Sequence, residues 1–559
     1  MVHVTDSNED PEQKPGQRHR FRATGGPSKP TRRPASAAAA STGSSRAVPG
    51  SAAEADAAVS AESALSGRSK ATTVTVDADG AVDGKPSDAD VVRTTGSMAF
   101  ATLLSRITGF LRTVLISSAL GGAIASAFNT ANVLPNLITE LVLGAVLTSL
   151  VIPLLVRAEK EDSDRGEAFI RRLVTLTFTL MMTVTVVAVF AAPLLTRMSL
   201  GGDSKVNVGM STAFAYLVLP QIVFYAMFAV LMAVLNTKGY FKPGAWAPVV
   251  NNVVTIGVLS LYWLLPQDSK LSPNDSVTIT DPHIMLLGLG TTFGVVVQAL
   301  IMVPYLKKAG VNLRPLWGLD DRLRQFGGMA LAIVVYVAIS QVGFILNNRI
   351  AAGSDDTAPT IYTQAWQLLQ MPYGIVGVTL LTAFMPRLSR NAADGDDKAV
   401  VKDLTTASRL TMLAMVPVII YLTAFGTVIG PALFAYGSFS PDAANVLGWT
   451  VSFSAFTLIP YSLVLLHLRV FYAREEVWTP TFIIGGITVT KLVLAYLAPH
   501  IASEPRLVVV LLGAANGMGF VTGAIIGHRL LKRSLGHLGM RSVAKTALWG
   551  LGASVIAAL

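Results

Sequence analysis

The chain has no cysteine and carries little charge. With no cysteine in 559 residues, disulfide frameworks, thiolate metal sites and thiolate nucleophiles are excluded. Charged residues make up 14% of the sequence against 52% hydrophobic, whereas a soluble globular domain is about 25% charged. Mean hydropathy is +0.54. The seven histidines form no metal-ligand spacing, and HExxH, GxxxxGK[ST] and GxSxG are all missing. The sequence is therefore read as that of a polytopic helical membrane protein, not an enzyme, with no cofactor called for.

Residues 1–96 are rich in Ala, Ser, Gly, Pro and Thr and show neither helical nor strand periodicity. They hold twelve Lys/Arg against twelve Asp/Glu and cannot bury enough apolar surface to fold alone. They are read as a disordered tail, with Arg18, Arg20, Arg22, Arg32 and Arg33 either solvated or touching anionic lipid. No signal peptide precedes them, because the first long apolar run begins near Met98.

From there hydrophobic runs follow one another, near 98–120, 125–156, 173–199, 211–235, 245–265, 283–306, 326–350, 359–386, 408–434, 444–472, 478–498, 507–528 and 542–559. Each is long enough to cross a bilayer. In or beside the loops on the side of the N-terminus lie 24 Lys/Arg. The opposite loops hold four: Arg197, Lys205, Lys270 and Arg506. The positive-inside rule then predicts a cytoplasmic N-terminus in the cell membrane. The net charge of +10 thus serves topology, and no nucleic-acid partner is needed.

The stretch SRITGFLRTVLISSALGGAIASAFNTANVLPNLITELVLGAVLTSLVIPLLVR, Ser105 to Arg157, breaks the apolar pattern. Arg106 and Arg112 stand in its first span, Asn136 and Glu140 in its second. An ionisable group in hydrocarbon costs several kcal/mol and normally faces a partner or a water-filled path. Six residues apart, the two arginines sit about 120° apart and roughly 9 Å along a helix. That spacing suits two walls of one wide cavity. With Arg349 and Lys491 they leave a net +3 inside the membrane, Glu140 being the one intramembrane acid. Such a cavity attracts an anion, and the guanidinium fork suits phosphate and diphosphate. Lys491 is expected to snorkel to the interface. Arg349 is either an anchor or a ligand, and Glu140 either a ligand or a counter-charge. His467 and Arg469 are expected to mark an interface, and the intramembrane Asn and Gln residues, Gln367 among them, to join helices.

The chain also repeats itself. Gly144, Leu147, Pro153, Leu155 and Arg157 recur 233 residues on as Gly377, Leu380, Pro386, Leu388 and Arg390. Tyr240, Trp246 and Pro248 recur 232 on as Tyr472, Trp478 and Pro480. Two matches at nearly one offset imply a duplicated unit of six spans. Six is even, so the halves share one orientation and are expected to enclose a central cavity. The fold class is all-α: two pseudo-symmetric six-helix halves at 97–310 and 311–533, then the start of an extra helix pair at 534–559.

SRITGFLRTVLISSALG, AFNTANVLPNLITE, VLNTKGYFKPGAWAPVVNN, LQMPYGIVGVTLLTAFMPRLS and RVFYAREEVWTPT, in that order, resemble the MurJ/MviN family of lipid II flippases. These belong to the multidrug/oligosaccharidyl-lipid/polysaccharide exporter superfamily. The likeness covers about 97–559, and the Ala-rich composition resembles actinobacterial members. Family members have fourteen spans, which places one more beyond Leu559. The resemblance implies lipid II as substrate, an undecaprenyl diphosphate carrying a disaccharide-pentapeptide, moved to the outer leaflet for peptidoglycan assembly. The family's first-span arginines fall on Arg106 and Arg112, and its preceding serine on Ser105.

The sequence departs from the family at Ser126, Thr139, Glu140, Gly144 and Gln367, which replace an acid, two arginines, an acid and an arginine. Arg349 is the candidate substitute for the arginine missing at Gln367. Sodium-binding members use carboxylates in their C-terminal half, which this chain lacks inside its spans, so membrane potential is the simpler drive. The expected substrate-binding set is Ser105, Arg106, Arg112, Asn136, Glu140, Arg349 and Gln367, with no metal. Membrane lipids, and cell-wall synthesis or division proteins at the tail or a C-terminal region, are the other expected partners. The competing readings are an exporter of another lipid-linked glycan or a drug, and a non-transporting cell-wall scaffold.

Overall fold

A computed structural model describes residues 88–144, 151–266, 270–318, 327–474, 476 and 478–558. The expected tail therefore lies outside the described residues up to position 87. Helix begins at Asp88, inside the stretch assigned to the tail. Among the described residues there is helix and no strand.

The first helical run, Asp88–Thr139, is two helices broken at Gly121, whose φ of 73° and ψ of 176° leave the helical region. We name the arms α1 (88–120) and α2 (122–139). At Glu140–Gly144 the chain widens into a π-helical turn, a form frequent at functional sites, and α3 follows at Ile152–Glu161. The third span is α4 (Glu167–Phe190) and α5 (Ala192–Leu200), parted at Ala191 with Pro193 opening the second piece. The fourth is α6 (Val208–Val218) and α7 (Gln221–Thr237), bent by 44°. Then come α8 (Lys242–Trp263), α9 (Pro282–Leu300) and α10 (Met302–Lys308).

The second half runs α11 (Gly327–Ser354), α12 (Ala358–Ala393), α13 (Asp397–Phe434), α14 (Pro441–Ser454), α15 (Leu458–Ala473), α16 (Trp478–Ile501) and α17 (Val508–Leu535). Helix α18 is Met540–Ala558. Sequence signals set several starts. Asp281 caps α9 by accepting from the His283 and Ile284 N–H groups, with Pro282 in the first turn. Ser440 caps α14 through Ala443 N–H, with Pro441 beside it. These side chains satisfy N–H groups that a helix start leaves open, and proline needs no such partner there.

Nine helices among the described residues are long and apolar enough to cross a membrane, ten if the bent α6–α7 pair counts as one span. The pattern reading gave thirteen. The gap arises because α1 and α2 pass the test as one run, and because α12, with its three glutamines, and α18 are not among the nine.

The duplication is visible in the elements. Bent α6–α7, over 208–237, reappears 233 residues on as α14–α15, over 441–473, interrupted by a 3-10 turn at Ala455–Thr457. The break is thus part of the repeat. Two apolar clusters follow the same division, one drawn from 116–311 plus Ala352 and one from 336–538.

The halves are joined around the Gly121 break, an end of the bundle we call the kink face. A Cβ on Gly122 would lie 2.5 Å from Thr357 Cγ2, at the α11–α12 turn, and one on Gly121 would lie 2.9 Å from Ser438 O. Ser438 N–H donates to Ser118 O at 2.7 Å, and Gly437 leaves no space for a Cβ against that same carbonyl. Below this, α1 and α2 face α12 residue by residue. Ser126 Oγ donates to Thr360 Oγ1 at 3.0 Å, Gln364 to Ser117, and Thr113 Oγ1 to Gln367 Oε1 at 2.7 Å.

Candidate functional site

Arg106 and Arg112 leave the same helix toward different halves. Arg106 is half-buried, and its guanidinium lies against α12 where a Cβ at Gly374 would overlap it. Tyr461 of α15 stands within its electrostatic reach and hydrogen-bonds Gln370. An aromatic group backs this wall, with Tyr373 at 4.8 Å, Phe520 at 5.1 Å and Trp366 at 5.6 Å from the Tyr461 ring. Arg112 faces the first half, where Tyr225 of α7 is within its electrostatic reach and hydrogen-bonds Asn136 of α2. Arg112 Nε is buried without a hydrogen-bond partner. A buried donor left unmade costs about 1–3 kcal/mol, more for a charged group, so an acceptor from outside the chain suits this position.

Ser105 is buried, and its hydroxyl likewise has no hydrogen-bond partner. Its carbonyl accepts from Asn252 Nδ2 at 3.1 Å, which ties α1 to α8. Glu140, in the π turn, accepts from Gln341 Nε2 of α11 at 3.0 Å. Its carboxylate thus helps join the halves.

Gln367 and Arg349 have different neighbours. Gln367 accepts from Thr113, the residue after Arg112. Arg349 crosses Gly201 at the end of α5. Among the described residues no hydrogen bond joins the two: Gln367 is held by Thr113 of α1, and Arg349 lies against Gly201.

Lys491 corrects the snorkelling expectation. It is 6% exposed, and its Nζ lies 5.8 Å from the Tyr362 ring centroid. A Cβ on Gly519 would meet Lys491 Cβ at 3.2 Å, so α17 packs against the base of the side chain and the tail finds an aromatic face instead. His467 and Arg469 are also corrected. Each is 2% exposed, buried where α15 packs on α12, α13 and α17.

Sequence reasoning missed Tyr225, Gly374 and Tyr461. Gly374 stands in the quoted LQMPYGIVG run, but nothing in the spacing says that its missing side chain makes room for Arg106. Taken together, the site offers two cations on opposite walls, two phenol hydroxyls beside them, an aromatic shelf and, among the described residues, no acid except Glu140. It can bind a multivalent anion in a partly desolvated space.

The chain is similar to known proteins in sequence and in fold. Residues 116–559 match the family model described as lipid II flippase MurJ. A probable lipid II flippase MurJ of Rhizobium meliloti is 26% identical over 407 residues, covering 71% of this chain and 73% of that one. A lipid II flippase MurJ of Burkholderia cenocepacia is 27% identical over 408 residues, covering 70% and 75%. Among solved structures, a lipid II flippase MurJ in an inward closed conformation superposes with a TM-score of 0.66 at 17% identity, over 82% of this chain and 91% of that one. A multidrug MATE transporter of the MOP superfamily gives 0.63 at 14% identity, over 77% and 95%. The two structural likenesses show a shared fold, and the family model, matched over most of the chain, shows membership: this chain belongs to the lipid II flippase MurJ family.

Proposed function

We propose that the chain is a lipid II flippase of the bacterial cell membrane, with its N-terminus in the cytoplasm and the kink face outward. It takes the undecaprenyl-diphosphate-linked peptidoglycan precursor from the cytoplasmic leaflet and delivers it to the outer one by alternating access. The observation that carries the reading is the placing of Arg106 and Arg112 on the walls of different halves. A diphosphate held between them is gripped by both halves at once, so its binding and the rocking of the halves are linked. Burial strengthens each charge-assisted bond, and the Tyr225 and Tyr461 hydroxyls supply further donors. The polyprenyl tail stays in lipid, where leaving would cost about 0.8 kcal/mol per CH₂.

In this orientation the contacts around Gly121, Gly122 and Gly437 close the outer side, and the site is loaded from the cytoplasm. An inside-negative potential favours outward movement of the anion by about 2.3 kcal/mol per charge per 100 mV. The experiment is depletion in cells, with measurement of lipid II accessible from outside. Loss of accessible lipid II is expected. Unchanged accessibility in a strain with no second flippase would refute the reading.

A further inference from the structure

Two of the cations expected on the outer side and one from the end of a span lie close together, and one of them, Arg197, lines a cavity. Arg197 lies in the last turn of α5, Lys205 in the loop after it and Arg349 near the end of α11. Lys205 N–H donates to Ala352 O at 2.7 Å, pinning that loop to α11. Arg349 crosses Gly201, its Nε 2.7 Å from where a Cβ would stand. Gly201 has a φ of +85°, which a side chain would strain. The close approach of Arg349 therefore depends on glycine twice over, for the turn and for the space.

Gly201 and Arg197 line a cavity of about 710 Å³ between α5, α6 and residues 277–279. Its wall is held in place by Asn207. This side chain accepts from Met210 N–H at 2.9 Å and donates to the carbonyls of Pro273 at 3.1 Å and Asp275 at 3.0 Å. Thr212, Tyr216 and Thr278 add hydroxyls to the lining.

Charge and depth then say what the cavity takes. Among the described residues no carboxylate pairs with Arg197, Lys205 or Arg349, and Asp203 in the same loop is exposed and unpaired. Unpaired cations on the side where topology disfavours them repel one another unless an anion joins them. Helix α4, with 24 residues, is about 36 Å long and already crosses a hydrocarbon core of about 30 Å. Past its break at Ala191, α5 stands at head-group level with Leu194 and Met198 exposed.

We propose that this cavity binds a lipid-borne phosphate in the outer leaflet and receives the diphosphate of the transported lipid as it leaves Arg106 and Arg112. The second part rests on the flippase reading. A resident anionic phospholipid offers the same chemistry, and the test separates the two sources.

The full chain is placed in phosphatidylcholine nanodiscs, with Arg106→Gln and Arg112→Gln removing the central site. Binding of undecaprenyl diphosphate and of phosphatidylglycerol is measured with and without the added pair Arg197→Gln and Arg349→Gln. The pair is expected to weaken undecaprenyl diphosphate binding about tenfold, as loss of a charge-assisted contact does, while Arg197→Lys with Arg349→Lys keeps most of it and reports on folding. Weakening confined to phosphatidylglycerol would establish the phosphate site and overturn its role in exit. Equal binding of both probes by both backgrounds would overturn the site itself. Weakened probe binding in these variants, with a wild-type chain that moves no lipid II, would refute the flippase reading and leave the site standing.

Discussion

At the scale of single residues, the site depends on where two guanidinium groups point. Arg112→Ala should lower lipid II transport at least tenfold while the protein still reaches the membrane, because a hydrogen bond to a charged group is worth about 1.5–3 kcal/mol. Arg112→Lys should be intermediate, since a point charge lacks the planar fork. Equal rates for alanine and wild type would take Arg112 out of the site. Gly374→Ala asks a narrower question. Its Cβ would occupy the space of the Arg106 guanidinium, so transport should fall about as far as in Arg106→Ala, with membrane insertion unchanged; wild-type transport would show that Arg106 does not need this wall. The two arginines were legible in the sequence because charge in an apolar run is costly. Their partners were not, since Tyr225 and Tyr461 look like ordinary apolar-span aromatics until the helices are packed. Lys491 shows the same limit from the other side: nearness to a span end suggested the interface, and a ring of α12 decided otherwise.

At the scale of elements, glycine decides where helices break and where they touch. The Gly121-Gly122 joint was readable as a break between two spans. That it presses on the α11–α12 turn and on Ser438 was not, because contact between distant segments leaves no local pattern. Gly122→Val should hold this seal apart, since its Cβ alone would lie 2.5 Å from Thr357. Single cysteines placed below it should then react with an outside reagent, on a chain that has no cysteine of its own. Unchanged protection would show that the contact is not a seal. Beside it, Asp356 has its carboxyl pKa pushed above the ordinary 3.8 by burial and then by Asp355. A raised pKa means that ionisation is disfavoured in the folded chain, so Asp356 costs stability above that pKa and nothing below the ordinary value. Asp356→Asn should raise the thermal unfolding temperature at pH 7, with the gain shrinking on acidification and absent below pH 3.8. A gain that is constant with pH would contradict this.

At the scale of the whole molecule, the duplication was readable from a handful of residues at offsets of 232 and 233, and six spans per unit followed from counting. The sequence did not disclose that the fourth and tenth spans are both broken, because Pro220 and the Ala455–Thr457 turn share no motif. It also did not disclose that the halves meet mainly along α1, α2 and α12. The central claim is that these halves must part at the kink face for lipid II to cross. Ser126 Oγ and Thr360 Oγ1 are 3.0 Å apart across that face, within the reach of a disulfide between cysteines put in their place. The direct measurement is lipid II flipping by Ser126→Cys/Thr360→Cys protein in proteoliposomes, oxidised and then reduced. The account predicts that the oxidised protein stops flipping and that reduction restores it; flipping at the same rate in both states, with the crosslink verified, would contradict it.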